Sequence, residues 1–187
     1  MLDVNYYWDK FMIKELKELS RETVCGKYGR SLEKVIFEML DGTERDFYIK
    51  KEGSSVCALA LTEDNQVILA KQFRPGPKKI LLELPGGGKE NDETPEEAIA
   101  RELLEETGYV GDIQFVTQVY SCGYSTMRRY AFVATNCKLV GEQNLDEYED
   151  VDVELMALDE FRKQLRTGNM TDTETAYLGL DYLGLLK

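Results

Sequence analysis

A short acidic segment carries the residues whose types and spacing could hold a metal ion. A glycine run, Gly86–Gly88, is followed by Glu93 and then by Arg101, Glu102, Glu105 and Glu106. At about 100° per residue on a helix, Glu102 and Glu106 lie one turn apart, with Glu105 beside them. Like charges at this spacing repel each other, whereas Mg²⁺ binds carboxylate and phosphate oxygens. The segment therefore predicts a site where a divalent cation is held against a diphosphate.

The same segment contains the signals that begin and end a helix. Thr94 is an N-cap residue, Pro95 suits the first helical position and Glu97 completes a capping box. Gly108 provides a left-handed stop. These signals predict a helix that begins at Pro95 and ends before Gly108. Its apolar arc is expected to contain four side chains: Ile99, Ala100, Leu103 and Leu104.

The alternative for this segment is a solvated amphipathic helix whose acidic face has no function. That alternative carries little weight, because seven fixed residues at set spacings coincide by chance on the order of 10⁻⁸ of the time per start position. The pattern resembles the Nudix box, G-x5-E-x7-R-E-U-x-E-E-x-G-U, in which U is a bulky apolar residue. The segment from Gly87 to Gly108 matches every fixed letter, and Tyr109 at the last U is a mild departure.

The resemblance implies a role for each residue of the box. Three carboxylates and one backbone carbonyl would ligate Mg²⁺ or Mn²⁺: those of Glu102, Glu105, Glu106 and Gly86. Glu93 and Arg101 would be structural, with the arginine pairing with carboxylates to hold the ligands in place. Gly87 and Gly108 are the box glycines at the loop and at the helix end. The family also implies an α/β/α sandwich around a mixed sheet.

Residues outside the box resemble the ADP-ribose pyrophosphatase branch of the Nudix hydrolases, over about residues 20 to 186. The matching segments are Gln72–Pro75, Glu83–Gly87, the acidic loop before Val151, and a stretch from Thr167 through Asp172 to Thr175. This resemblance implies that Arg74 contacts phosphate and that Glu83 helps to frame the substrate. The alternatives are an exposed strand-end charge for Arg74 and a solvated strand residue for Glu83.

Composition narrows the chemistry and the partners. The 187 residues contain no histidine, so the general base must be Asp, Glu, Lys, Tyr or Cys. The net charge of −12 argues against nucleic acid and anionic membranes as partners. A bound metal could still admit a small anionic nucleoside diphosphate. The four cysteines lack metal-type spacing, and neither a signal peptide nor a membrane-length apolar run is visible, so we expect a reduced, cytoplasmic protein.

The acidic loop 144–150 is the expected source of the base. In the branch that this chain resembles, the base often lies on this loop, where Glu147 is our first choice. Glu149 is the second choice or a further metal ligand, and Glu105 completes the set of candidate catalytic carboxylates. The alternative is a solvated loop without a catalytic role.

The loop 121–129 departs from the pattern of the branch. Cys122 replaces a proline, and Met127 stands about where a substrate-contacting glutamate is expected. Arg128 and Arg129 could bring positive charge to a phosphate, although surface arginines at a strand start are the favoured interpretation. The physiological substrate is therefore left open by this loop.

The remaining pattern favours an α+β or α/β sandwich. The resemblance implies a β-rich N-terminal segment, 1–52, and a Nudix hydrolase domain, 53–187. Strands are predicted at 33–39, 44–50, 56–61, 67–73, 80–84, 113–120, 129–134 and 151–158, and helices at 158–166 and 172–186. Residues 14–19 could form a short helix or an irregular lead-in. In the branch, the N-terminal segment often exchanges between the subunits of a homodimer. The aromatic residues Tyr6, Tyr7, Trp8 and Phe11 could stack on a base or pack at that interface.

The expected activity is metal-dependent hydrolysis of a nucleoside diphosphate sugar. ADP-ribose is the first candidate, and its products would be AMP and ribose 5-phosphate. The alternatives are another diphosphate, such as GDP-mannose, a dinucleoside polyphosphate or NADH, or a sensor that binds a nucleotide sugar without hydrolysing it.

Overall fold

The structure is a computed structural model that describes residues 13–90, 92–145, 147 and 149–186. The N-terminal aromatic residues named above lie outside the described residues, as do Asp146 and Tyr148 of the acidic loop. The chain divides into two compact units. The first contains the described residues up to Glu52 together with Cys122–Thr126, and the second contains the described residues of 53–121 and 127–186.

The first unit is a three-stranded antiparallel sheet of β1 (Lys17–Lys27), β2 (Arg30–Glu38) and β3 (Glu44–Lys51), in that order. Of the two alternatives for residues 14–19, the helix is wrong and the irregular lead-in holds only for 14–16, because Lys17 begins a strand that pairs with β2. Pairing with a neighbouring strand overrides the local helical pattern of this segment. The predicted hairpin around Asp41 and Gly42 is confirmed, with Gly42 at a φ of 80°.

The interior of the first unit is small. Val35 is fully buried, and beside it the buried carboxylate of Glu33 pairs with Arg21 and Lys51. Phe47 packs edge-on against Phe37 with ring centroids 5.7 Å apart. The Glu33 carboxylate thus lies where an apolar side chain would usually be buried, and the two cations compensate its charge.

The second unit contains a six-stranded mixed sheet, in which β9 also pairs with β5. Along the sheet the order is β6 (Lys79–Glu83), β5 (Gln66–Arg74), β4 (Ser55–Thr62), β8 (Arg128–Leu139) and β7 (Tyr109–Tyr120), while β9 spans Val151–Ala157. The β4–β8 pair is parallel and the other pairs are antiparallel. All the predicted strands are confirmed, although β7 begins four residues earlier and β8 ends five residues later than expected.

Helices cover both faces of this sheet. They are α1 (Pro95–Thr107), α2 (Leu158–Leu165) and α3 (Thr173–Tyr182). Side chains of β4 alternate between two buried apolar clusters. Cys57, Leu59 and Leu61 pack with α2 and α3, whereas Val56, Ala58 and Ala60 pack with α1. This arrangement confirms the expected mixed α+β sandwich, and none of the described helices is long and apolar enough to cross a membrane.

The buried arc of α1 differs from the predicted one. Ile99 and Leu103 are buried as expected, but Ala100 and Leu104 are exposed. Ala98 and the acidic side chain of Glu106 are buried instead. The arc is therefore rotated toward the glycine loop, which covers Glu106. An acidic residue on the buried side of a helix is unexpected from hydrophobicity alone.

Candidate active site

The glycine loop is fixed as an extra extended segment along the start of β4. The amide of Gly87 donates to the carbonyl of Val56 at 3.1 Å, and the amide of Val56 donates to the carbonyl of Gly87 at 3.0 Å. Ala58 continues the pattern with a bond to the Pro85 carbonyl at 3.0 Å. A Cβ atom at Gly86 would lie 2.3 Å from the Val56 carbonyl oxygen, so only glycine fits this approach.

The predicted limits of α1 are confirmed. The side chain of Thr94 accepts a hydrogen bond from the Glu97 amide at 3.2 Å, and Glu97 accepts one from the Thr94 amide at 2.7 Å. Pro95 occupies the first turn, and Gly108 ends the helix with a φ of 74°. These local bonds position the four charged residues of the helix on the side of the glycine loop.

Glu106 lies beneath the glycine loop with 5% of its surface exposed. One of its carboxylate oxygens accepts a hydrogen bond from the Gly86 amide at 2.8 Å. Burial raises the pKa of Glu106 to about 8, and the negative charges of Glu102 and Glu149 act in the same direction. The Gly86 bond and the charge of Arg74 oppose this increase. A cation placed against this carboxyl group would stabilise its ionised form and so offset the cost of burying the charge.

Glu102 lies against the neighbouring glycine. A Cβ atom at Gly87 would be 2.4 Å from Oε1 of Glu102, so the missing side chain makes room for this carboxylate. Burial raises the pKa of Glu102, Arg101 opposes the increase, and the charges of Glu105 and Glu149 add to it. Glu102 and Glu106 thus share a desolvated, negatively charged environment.

Arg101 is the cation that organises these carboxylates. Its guanidinium donates to both oxygens of Glu93, at 2.9 and 3.2 Å. It also donates to Glu102 at 3.0 Å, to Glu105 at 2.9 Å and to the Gly88 carbonyl at 3.1 Å. Hydrogen bonds to Glu93 raise the pKa of Arg101 further. These are the contacts expected for Glu93 and Arg101, because they tie the loop to the helix.

The carboxylate oxygens of this site suit a divalent cation, although they do not converge on one point in this structure. The described residues contain no group of three acidic, histidine or cysteine side chains already arranged to hold a metal ion. Glu102 and Glu105 point their oxygens at Arg101 instead. Glu106 has a neutral amide as its hydrogen-bond donor, and its carboxyl group is desolvated. Hard oxygen donors with excess negative charge are the ligands that Mg²⁺ and Mn²⁺ prefer.

Arg74 and Glu83 form one ion pair on β5 and β6. The guanidinium donates to both oxygens of Glu83, with Nε at 2.7 Å. Glu83 is buried, so it is not the solvated strand residue of the alternative interpretation, while the Arg74 side chain is half-exposed. Hydrogen bonds to Glu83 raise the pKa of Arg74, and the charges of Asp172 and Glu106 contribute. The pair therefore holds a guanidinium near the box helix in a fixed orientation.

A second arginine pair was not anticipated. The interpretation of Arg129 as a surface arginine is wrong, because its side chain is 21% exposed and pairs with Asp172 and Glu174, each at 2.6 Å. Burial raises the pKa of Asp172, which Arg129 opposes. Asp172 also has a left-handed φ of 56° just before α3. Arg128 instead lies over the ring of Tyr120 at 3.8 Å. Arg129 and its two partners are distant in the sequence and meet because α3 packs beside β8.

The acidic loop is anchored to the end of α1. The amide of Asn144 donates to the Glu105 carbonyl at 2.9 Å. The side-chain amide of Gln143 donates to the carbonyls of Glu106 and Val151, at 2.6 and 2.8 Å. Neither contact has a local signal in the sequence. They bring the loop that contains Glu147 and Glu149 to the last turn of the box helix.

The two candidate bases differ in their coupling to the box. Both Glu147 and Glu149 are exposed. The charge of Glu149 acts on the carboxyl groups of Glu102 and Glu106 and raises the pKa of each. Glu149 is therefore the loop carboxylate whose charge acts on the box carboxylates, and the choice of Glu147 as base stays a prediction.

The variant loop 121–129 is divided between the two units. Cys122 is exposed and belongs to the first unit, where the Tyr124 ring stacks on Phe47 at 6.4 Å between centroids. Backbone bonds between Lys50 and the loop, at 2.8 and 2.9 Å, hold this part beside β3. Met127 belongs to the second unit, where its sulfur accepts a hydrogen bond from Ser55 at 3.6 Å. The two departures from the pattern thus have separate surroundings.

Comparison with known proteins gives consistent results. The NUDIX domain model matches residues 51–175. An ADP-ribose pyrophosphatase of Bacillus subtilis (strain 168) is 33% identical over 151 residues, which cover 79% of this chain and 81% of that protein. A GDP-mannose pyrophosphatase of Enterobacter sp. (strain 638) is 31% identical over 150 residues, 75% of this chain and 77% of that protein.

The fold also matches a solved structure. A crystal structure of an ADP compounds hydrolase superposes with a TM-score of 0.79 and 20% identity, over 93% of this chain and 97% of that one. At this identity the match concerns the fold. The family model, the similarity to the two pyrophosphatases and the complete box lead to one conclusion. The chain belongs to the Nudix hydrolase family.

Proposed function

We propose that this protein hydrolyses the diphosphate linkage of a nucleoside diphosphate sugar with the help of a divalent cation. ADP-ribose is the first candidate, and the products would be AMP and ribose 5-phosphate. The observation that carries the proposal is the buried Glu106 beneath Gly86, beside carboxylates that Arg101 holds in place. The similarity to an ADP-ribose pyrophosphatase supports the choice of substrate.

The box residues would hold Mg²⁺ or Mn²⁺ through the carboxylates of Glu102, Glu105 and Glu106 and the carbonyl of Gly86. When bound, the cation would neutralise the diphosphate and lower the pKa of a coordinated water. Arg101 and Glu93 keep the ligands from repelling one another, since the guanidinium bridges the loop and the helix. Gly87 leaves room for Glu102, and Gly108 ends the helix.

Arg74 would contact a phosphate group of the substrate, with Glu83 holding its guanidinium. Two hydrogen bonds to a buried carboxylate limit the rotamers of Arg74. Half of the arginine side chain remains exposed and can meet an anion. Arg74→Lys would keep the charge but lose the two-bond geometry, so we expect a higher KM.

Glu149 is our first candidate for the base that takes the proton of the attacking water, and Glu147 is the alternative. Support for this order comes from the charge of Glu149 acting on Glu102 and Glu106. Loss of a general base lowers kcat by about 10²–10⁴-fold. We expect that loss for Glu149→Gln and a change within about threefold for Glu147→Gln. The opposite result would assign the base to Glu147.

A homodimer assembled through the first unit is the expected state. β1 is an edge strand, and all eleven of its residues are exposed. Natural proteins protect long edge strands, and a second copy can provide that protection. Sedimentation at micromolar concentration should give the mass of two chains, whereas a single-chain mass would reject the dimer.

The second candidate is the same reaction on another diphosphate. The departures at Cys122 and Met127, together with the similarity to a GDP-mannose pyrophosphatase, support it. GDP-mannose, a dinucleoside polyphosphate and NADH are the compounds to compare. A sensor that binds without hydrolysis is a weaker candidate, because the box is complete.

A substrate panel decides between these candidates. The protein would be incubated with ADP-ribose, ADP-glucose, GDP-mannose, diadenosine polyphosphate and NADH, with Mg²⁺ or Mn²⁺, and the products separated by ion-exchange chromatography. We expect the highest kcat/KM for ADP-ribose. A higher value for another compound would reassign the substrate, and binding without turnover of any of them would favour the sensor.

A further inference from the structure

Three carbonyl groups at the end of α1 accept hydrogen bonds from the chain that follows it. A helix end leaves four carbonyls without partners inside the helix. In α1, which ends at Thr107, these are the carbonyls of residues 104–107. The Leu104 carbonyl accepts from the Gly108 amide at 2.8 Å, and the carbonyls of Glu105 and Glu106 accept from Asn144 and Gln143.

Gln143 uses its side-chain amide at two places. Its Nε2 atom donates to the Glu106 carbonyl at 2.6 Å and to the Val151 carbonyl at 2.8 Å. A primary amide nitrogen has two hydrogens, so both donors are used. The first acceptor belongs to the box helix and the second begins β9. A single side chain therefore joins both ends of the acidic loop to the helix of the proposed metal ligands.

The acidic loop is short, so anchors at both of its ends restrict where it can lie. Only residues 145–150 lie between Asn144 and Val151. With both ends held at the same helix turn, consecutive Cα atoms 3.8 Å apart keep the loop within roughly 13 Å of that turn. Val151 is buried, so the second anchor is also held by packing.

We propose that Gln143 is a positioning residue for the reaction, because its amide closes the acidic loop onto the last turn of the helix that carries Glu105 and Glu106. The role rests on the proposed function. Gln143 touches neither substrate nor metal in this role. It fixes where the loop carboxylate stands relative to the box carboxylates.

The test compares three variants. Gln143→Leu removes both donors, and Gln143→Glu keeps the shape but directs a carboxylate at two carbonyl oxygens. Gln164→Leu is the matched control, since the Gln164 amide also donates to a backbone carbonyl, that of Asn169 at 3.1 Å, but from α2. Outer-shell partners of metal sites are worth about 10–100-fold in activity or affinity. We expect both Gln143 variants to lose about that factor in kcat with KM nearly unchanged, and the control to keep wild-type constants.

A double-mutant cycle separates positioning from simple destabilisation. If Gln143 acts through the loop, Gln143→Leu should lower kcat much less when the loop base is already replaced, by Glu149→Gln or by Glu147→Gln. Equal losses in both backgrounds would overturn the proposal, as would wild-type kcat in the Gln143→Glu variant. The Leu variant could unfold, in which case the isosteric Glu variant carries the test.

The two proposals fail in different ways. A wild-type protein that hydrolyses no diphosphate in the panel would reject the proposed function and, with it, the role of Gln143. An active wild type whose Gln143 variants are equally active would reject the role of Gln143 alone.

Discussion

Replacing Glu106 by glutamine should make the metal-free protein more stable at alkaline pH. Glutamine has the same shape and can still accept the hydrogen bond from the Gly86 amide. It cannot ionise, so the folded state no longer has to hold a buried negative charge beside Glu102 and Glu149. The same change should abolish the activity, because it removes a proposed metal ligand.

The magnitude follows from proton linkage. Burial raises the pKa of Glu106 from 4.5 to about 8 in the folded protein, so the folded state binds a proton that the unfolded state releases. The wild type therefore loses stability as pH rises from 4.5 to 8 and loses no more above that. At about 1.4 kcal/mol per pH unit, the loss is about 2 kcal/mol at pH 6 and at most about 5 kcal/mol at pH 8.

Urea unfolding of both proteins in EDTA, from pH 5.5 to 8.5, measures this difference. The other titrating groups are common to both proteins and cancel, so the variant should gain on the wild type as pH rises. Adding Mg²⁺ at pH 8 should stabilise the wild type, release protons and leave the variant unchanged. A stability difference that does not change with pH in EDTA would refute the reasoning.

Four further substitutions test other contacts of the site. Arg101→Lys keeps a charge but loses the planar fork that binds Glu93, so metal affinity, measured by Mn²⁺ titration, should fall about 10–100-fold. Gly87→Ala should weaken Mn²⁺ binding by a similar factor while changing the unfolding free energy by less than about 1 kcal/mol, because the added Cβ meets only the movable end of Glu102. Gly86→Ala meets the Val56 backbone instead and should lower the melting temperature, which would distinguish the two glycines; equal effects on both readouts would contradict this contrast. Thr94→Ala removes an N-cap bond and should cost about 1 kcal/mol, or 2–4 °C in melting temperature, with kcat unchanged; a large kcat loss would show that the cap does more than begin the helix.

Local signals were sufficient to predict the box helix. Thr94, Glu97 and Gly108 act through bonds that span three or four residues, so their spacing determines where the helix begins and ends. The strands of the second unit follow from short apolar runs for a similar reason. The exception is the buried arc, where Glu106 replaces Leu104 because the glycine loop, distant in sequence, covers that side.

The contacts that refine the site are long-range and could not be read from spacing. Gln143 reaches Glu106 across 37 residues, and Arg129 reaches Asp172 through the packing of α3 on β8. Neither the type of these residues nor the residues next to them in the sequence indicate such a partner. The strand β1 was missed for a related reason, since its pairing with β2 decides its conformation over a helical-looking local pattern.

The central claim is that the carboxylates of the box helix drive a metal-dependent cleavage of a diphosphate. Its most direct test is the rate of AMP release from ADP-ribose by the wild type and by Glu106→Gln, each with Mg²⁺ and with EDTA. The account predicts AMP and ribose 5-phosphate from the wild type with Mg²⁺ only, and a rate at least about 100-fold lower for the folded variant. Undiminished AMP release in EDTA, or by the variant, would contradict it.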